Sequence, residues 1–176
     1  MKIKRDTKGF TLLELLVVVL IIGILAAIAL PQYKMAVANS KYNTIKQTVE
    51  QIAQSVERYY LNTNTPPANL EVLDLNFEGE YKTFNGVEKA RIKLSTGETC
   101  GFNNVGEDEY KEIICFTSVG KKNMAYSRTV PLSKHIFAKF CYATSSDLNH
   151  ITHKVCQKET GKQNGSDIGT YILYVY

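Results

Sequence analysis

Apolar residues run almost unbroken from Phe10 to Leu30, where only Thr11, Glu14 and Gly23 of the 21 residues are not apolar. A helix through this stretch is long enough to cross a bilayer core, which takes about 20 residues. After Pro31 the pattern changes. Ala38, Tyr42, Ile45, Val49, Ile52, Val56 and Tyr59 recur at spacings of four and three, with Lys41, Lys46, Gln47, Glu50, Gln54 and Glu57 between them. That stripe predicts an amphipathic helix continuing over residues 31–61. Asn62 to Thr65 and the Pro66-Pro67 pair end it, because proline removes a donor and disfavours helical geometry before it. Unbroken, such a helix would run about 78 Å. The stripe has alanine, two tyrosines and no leucine, a poor zipper seam, so it is expected to pack against a sheet of its own chain.

Residues 62–90 hold a short apolar patch, Leu70, Val72, Leu73 and Leu75, then a polar stretch with Gly79 and Asn85-Gly86. They read as a surface connector with one helical turn. Segments rich in Ile, Val, Phe, Tyr and Thr follow at 88–95, 99–105, 110–118, 124–130, 136–143 and 168–176. These predict strands. The fold class is therefore α+β, a long amino-terminal helix on an antiparallel sheet that occupies residues 91–176. Tyr171, Ile172, Tyr174, Val175 and Tyr176 suit a terminal strand buried on at least one face, with an exposed aromatic adhesion surface as the alternative.

Charge sharpens the amino-terminal reading. The formal net charge is +4, and Lys2, Lys4, Arg5 and Lys8 against Asp6 put +3 of it before Phe10. The remainder is nearly neutral, so no nucleic-acid partner is expected, and the basic stretch keeps the amino terminus cytoplasmic. A conventional secretory signal has an apolar core of about 7 to 15 residues and a small-residue cleavage site. Ala26, Ala27 and Ala29 stand where such a site would fall, but the apolar run is too long and lacks a polar segment before them.

Glu14 is the anomaly. A charged side chain inside a membrane span costs about 2.5 to 3.5 kcal/mol, and a chance charge four residues from the segment's edge can snorkel to the headgroups. The stretch KGFTLLELL, residues 8–16, resembles the prepilin signature shared by type IV pilins and the pseudopilins of type II secretion systems: a basic leader ending in Gly9, then Phe10, then Glu14 as the fifth residue after the glycine. Pro31 falls where many members carry a helix-disturbing proline. The resemblance covers the amino-terminal third. It implies that residues 1–9 are a leader, that a prepilin peptidase cuts between Gly9 and Phe10 and methylates the Phe10 amine, and that residues 10–30 remain as the transmembrane and polymerisation helix. It further implies storage in the inner membrane, assembly machinery of a pilus or type II secretion system, and a homo-oligomeric helical filament on the cell surface. In such a filament Glu14 meets the Phe10 amine of a neighbouring copy and fixes register, and helicity near Gly23 and Pro31 is disturbed.

Four cysteines allow three pairings. Cys100 and Cys115 lie symmetrically about Gly106-Glu107-Asp108-Glu109, so a hairpin centred between Glu107 and Asp108 sets them opposite each other, and Phe102 opposite Ile113. That leaves Cys141 and Cys156, a pair that resembles the disulfide closing the carboxy-terminal region of many type IV pilins. Ser145, Ser146 and Asp147 look like a helix start, with Leu148, Ile151 and Val155 as its apolar face. Disulfides fit an oxidising compartment outside the membrane. Zinc is the rival, but the C-x-x-C spacing is absent.

His135, His150 and His153 are expected to be solvated surface residues rather than metal ligands, the acidic run at 107–109 a solvated turn, and the sequon Asn164-Gly165-Ser166 a loop. No nucleophile elbow, phosphate-binding glycine loop or acid-base pair is found. The expectation is a non-enzyme without cofactor or metal. Its alternatives are a type IV pilus subunit, favoured over a pseudopilin because the major pseudopilins usually carry a calcium loop in place of disulfides; that pseudopilin; and a membrane-anchored domain that never polymerises.

Overall fold

The computed structural model describes residues 9–103, 110–132, 137–144 and 147–176. The chain divides into two compact units, one ending at Ala36 and one comprising Val37–Tyr176. A single α-helix, α1 (Leu12–Thr63), contributes to both and continues through Pro31. It ends where Asn64 takes a left-handed conformation, φ 53°, and its N–H bonds the Tyr60 carbonyl at 2.8 Å. Asparagine tolerates that conformation better than most residues. The Pro66-Pro67 pair then prevents continuation.

Within the unit starting at Val37, α1 buries Ala38, Tyr42, Ile45, Val49, Ile52, Ala53, Ser55 and Val56. This is the expected stripe, with Tyr59 at its half-buried end. It packs on an eight-stranded antiparallel sheet of its own chain. The strands are β1 (Gly79–Phe84), β2 (Val87–Leu94), β3 (Thr99–Phe102), β4 (Tyr110–Val119), β5 (Lys122–Pro131), β6 (Lys139–Thr144), β7 (Ser166–Asp167) and β8 (Tyr171–Val175). Their spatial order is β1-β2-β3-β4-β5-β6-β8-β7. Tyr126 of β5 meets Tyr42 of α1 edge-to-face, with centroids 6.0 Å apart, and its hydroxyl donates to Glu50 at 2.9 Å.

Three features depart from the sequence reading. The sheet begins inside the segment read as a connector, because Asn85 (φ 48°) and Gly86 (φ 80°) make the tight turn that joins β1 to β2. That segment's Leu70 and Leu73 are buried rather than superficial. The second helix, α2 (Ile151–Thr160), starts later than expected: His150 is its N-cap and accepts from the Thr152 N–H, and Gly161 (φ 71°) closes it. Ser145 and Ser146 lie outside the described residues, as do His135 and the turn at 106–109. Finally, His153 is fully buried rather than solvated. Its Nε2 donates to the Thr144 carbonyl at 2.7 Å, which leaves Nδ1 to accept from the Tyr174 hydroxyl at 3.0 Å.

Candidate functional site: the capped, apolar helix start

Thr11 and Glu14 build a reciprocal cap on the first turn of α1. The Thr11 hydroxyl accepts the Glu14 N–H at 3.2 Å. In return Glu14 Oε2 accepts the Thr11 N–H at 2.8 Å and the Thr11 hydroxyl at 2.7 Å. Two N–H groups that a helix end leaves without intrahelical partners are thereby satisfied. The sequence signal was present: Thr-x-x-Glu directly before an apolar run is a capping box.

Around this cap the helix offers apolar surface with no covering. None of residues 9–36 is buried, and Phe10 is 79% exposed. The helix is long and apolar enough to cross a membrane near the amino terminus. Gly9 lies before the helix and is exposed. A Cβ added at Gly9 or at Gly23 would meet no atom within 4 Å. No contact among the described residues therefore requires glycine at position 23, where its missing side chain notches a surface of Leu16, Val19, Leu20, Ile24 and Ala27. Pro31 sits within the helix without ending it.

Polar ties fix the later part of α1 to the sheet. Arg128 of β5 bridges Glu50 at 2.5 Å and Glu57 at 2.8 Å, and Lys139 of β6 stands 3.4 Å from Glu50. Burial alone would raise the Glu50 carboxyl, but the Tyr126 hydroxyl, Arg128 and Lys139 outweigh it and hold it below the usual carboxylate range. Lys46 pairs with Glu159 of α2 at 2.9 Å. None of these partners was legible, since each pair joins elements far apart in sequence.

Cys100 of β3 is bonded to Cys115 of β4 and Cys141 of β6 to Cys156 of α2, each pair 15 residues apart. In the β3–β4 register Cys100 opposes Cys115 and Phe102 opposes Ile113. All four cysteines are buried. Among the described residues no group of three or more His, Cys, Asp or Glu is placed to hold a metal ion.

Comparison with known proteins points to the same end of the chain. Residues 4–30 match the family described as the prokaryotic N-terminal methylation motif. The type IV major fimbrial protein FimA of Dichelobacter nodosus is 47% identical over 59 residues, 34% of this chain and 38% of FimA. The type IV major pilin protein PilE1 of Neisseria gonorrhoeae is 44% identical over 97 residues, 50% of this chain and 54% of PilE1. The fimbrial protein EcpC of Eikenella corrodens is 43% identical over 99 residues, 56% of this chain and 61% of EcpC. The chain thus spans between about a third and three fifths of the length of these relatives. No solved structure matches it. In its amino-terminal motif, and over the third to three fifths of their length that it covers, the chain is similar to type IV major pilin and fimbrial proteins.

Proposed function

We propose that the protein is a structural subunit of a type IV pilus, made as a prepilin with residues 1–9 as leader, 10–30 as membrane and polymerisation helix, and the remainder as surface domain. A prepilin peptidase cuts between Gly9 and Phe10 and methylates the new amine, and the pilus assembly machinery then lifts subunits from the inner membrane into a filament. The observation that carries this reading lies in residues 10–30, where the apolar surface is left uncovered by the described residues and the one acidic residue, Glu14, sits in the first turn of α1. A subunit that polymerises through this helix buries that surface against other copies. It also brings the Glu14 carboxylate to the Phe10 ammonium of a neighbour, where low dielectric strengthens the attraction well beyond its value in water. Apolar helices alone slide with little change in contact, so such a pair would set axial register.

The notch at Gly23 and the missing hydrogen bond at Pro31 make the intervening turns the place where α1 would lose helicity on packing. Two buried disulfides suit a domain exposed to an oxidising exterior.

The test is electron microscopy of sheared surface filaments followed by mass spectrometry of their subunit. The expected chain begins at methylated Phe10 and retains the apolar stretch; one that keeps residues 1–9, or has lost residues 10–30, overturns the reading. Glu14→Ala should leave the chain cut and membrane-inserted yet absent from filaments. Secretion of a periplasmic protein lost on deletion, with surface filaments unchanged, would assign the chain to a type II secretion pseudopilus instead.

A further inference from the structure

The cap spends the two oxygens of Glu14 unequally. Both Thr11 donors converge on Oε2, while Oε1 takes no hydrogen bond from any described residue. The residue that supplies those donors is the immediate neighbour of Phe10, whose amine cleavage would release. A lone subunit in lipid therefore already offsets part of the cost of its carboxylate, since two donors reach it without any partner molecule. At the same time the side chain is tethered at one oxygen instead of sampling its rotamers.

We propose that Thr11 is the positioning residue for subunit docking: it holds Glu14 by Oε2 and keeps Oε1 open for the ammonium of a second copy. This rests on the filament reading above and adds to it a division of labour within one carboxylate. Docking then adds a charge-assisted bond to a group already in place, with little rotamer entropy left to lose. The hydroxyl is the essential part. Serine preserves it. Glycine caps a helix start almost as well as threonine but has no hydroxyl to give Glu14, and valine keeps the shape with neither function.

The experiment expresses full-length Thr11→Ser, Thr11→Gly, Thr11→Val and Glu14→Ala chains in cells that lack the parent copy, and reads filament yield per cut, membrane-inserted chain. Thr11→Ser should give the parental yield. Thr11→Gly and Thr11→Val should be cut and inserted but fall in yield by about tenfold, the loss of one hydrogen bond to a charged group. A parental yield from Thr11→Gly overturns the proposal in favour of plain helix capping, as does failure of Thr11→Ser to match the parent. A Thr11→Gly chain that is inserted but uncut assigns the residue to peptidase recognition and also overturns it. Parental filaments from Glu14→Ala sink the filament reading itself, which separates that failure from failure of the Thr11 role.

Discussion

Asp74 ties the segment after α1 back to the helix. Its carboxylate accepts from Arg58 Nε and Nη2, both at 2.9 Å, and from the Ser55 hydroxyl. The Arg58 fork first, and then Ser55, hold its pKa down to about 2 from an ordinary 3.8. A carboxyl whose folded pKa is depressed stabilises the fold above its unfolded value, and that contribution disappears as pH falls through the folded one. Thermal denaturation of the parent and of Asp74→Asn, followed from neutral pH downward, should differ at pH 7 and converge between about pH 4 and pH 2. A gap that stays constant over that window refutes the tie. The effect is small because the pair is exposed. Arg128 is different: its side chain is only 18% exposed and answers Glu50 and Glu57 together. Arg128→Met should cost about 2 kcal/mol in urea denaturation, because it strands two partly buried carboxylates. At this scale the sequence was legible where partners are local, as in Thr11 and Glu14. It was silent where they are distant: Arg58 and Asp74 are 16 residues apart and Arg128 and Glu50 are 78 apart.

Among the elements, α1 and the β3–β4 hairpin were readable because each imposes a period. The stripe repeats with the helical turn, and the two cysteines sit symmetrically about one hairpin centre. Strand β1 imposes none. Its sequence GEYKTF is exposed at Gly79, Glu80, Lys82 and Thr83 and nowhere buried, as befits an edge strand with solvent on both faces, so hydrophobic alternation cannot mark it. The Asn85-Gly86 pair was the remaining cue, a strong hairpin signal that required a strand on either side. The start of α2 was misplaced because the serines outrank histidine as caps in general preference, whereas here the His150 ring accepts the Thr152 N–H at 3.3 Å. The bridges also differ at this scale. Cys100–Cys115 joins strands already paired along a ladder, but Cys141–Cys156 staples a ten-residue helix, too short to be stable on its own. The double variant Cys141→Ser, Cys156→Ser should lose about 3 kcal/mol in the chain-entropy account. In hydrogen exchange its loss of protection should concentrate in α2 and the adjoining β6 and β8. Equal loss in β3 and β4 would show that the second bridge supports the whole sheet rather than one helix.

For the whole molecule the decisive contrast is where burial begins. Among the described residues every buried one lies at Ala38 or beyond, while the apolar side chains from Phe10 to Leu30 are at least partly open throughout. The unit from Val37 onward carries its own core, two disulfides and its own polar ties. That earlier segment is helical, the form in which a span in hydrocarbon satisfies most of its backbone, but it covers none of its apolar surface, and a contiguous apolar face of that size marks a membrane or interaction site. A fragment comprising Val37–Tyr176 should accordingly fold by itself, stay monomeric without detergent and unfold in urea at the midpoint shown by the same unit in the detergent-held full-length chain. The full-length chain, moved out of detergent, should associate. If instead the fragment unfolds at a clearly lower midpoint with a smaller slope, the core extends below Ala38, because the slope scales with the surface that unfolding exposes. If the fragment associates as strongly as the full chain, the surface that drives association lies in the sheet unit and not in the helix that Thr11 and Glu14 cap.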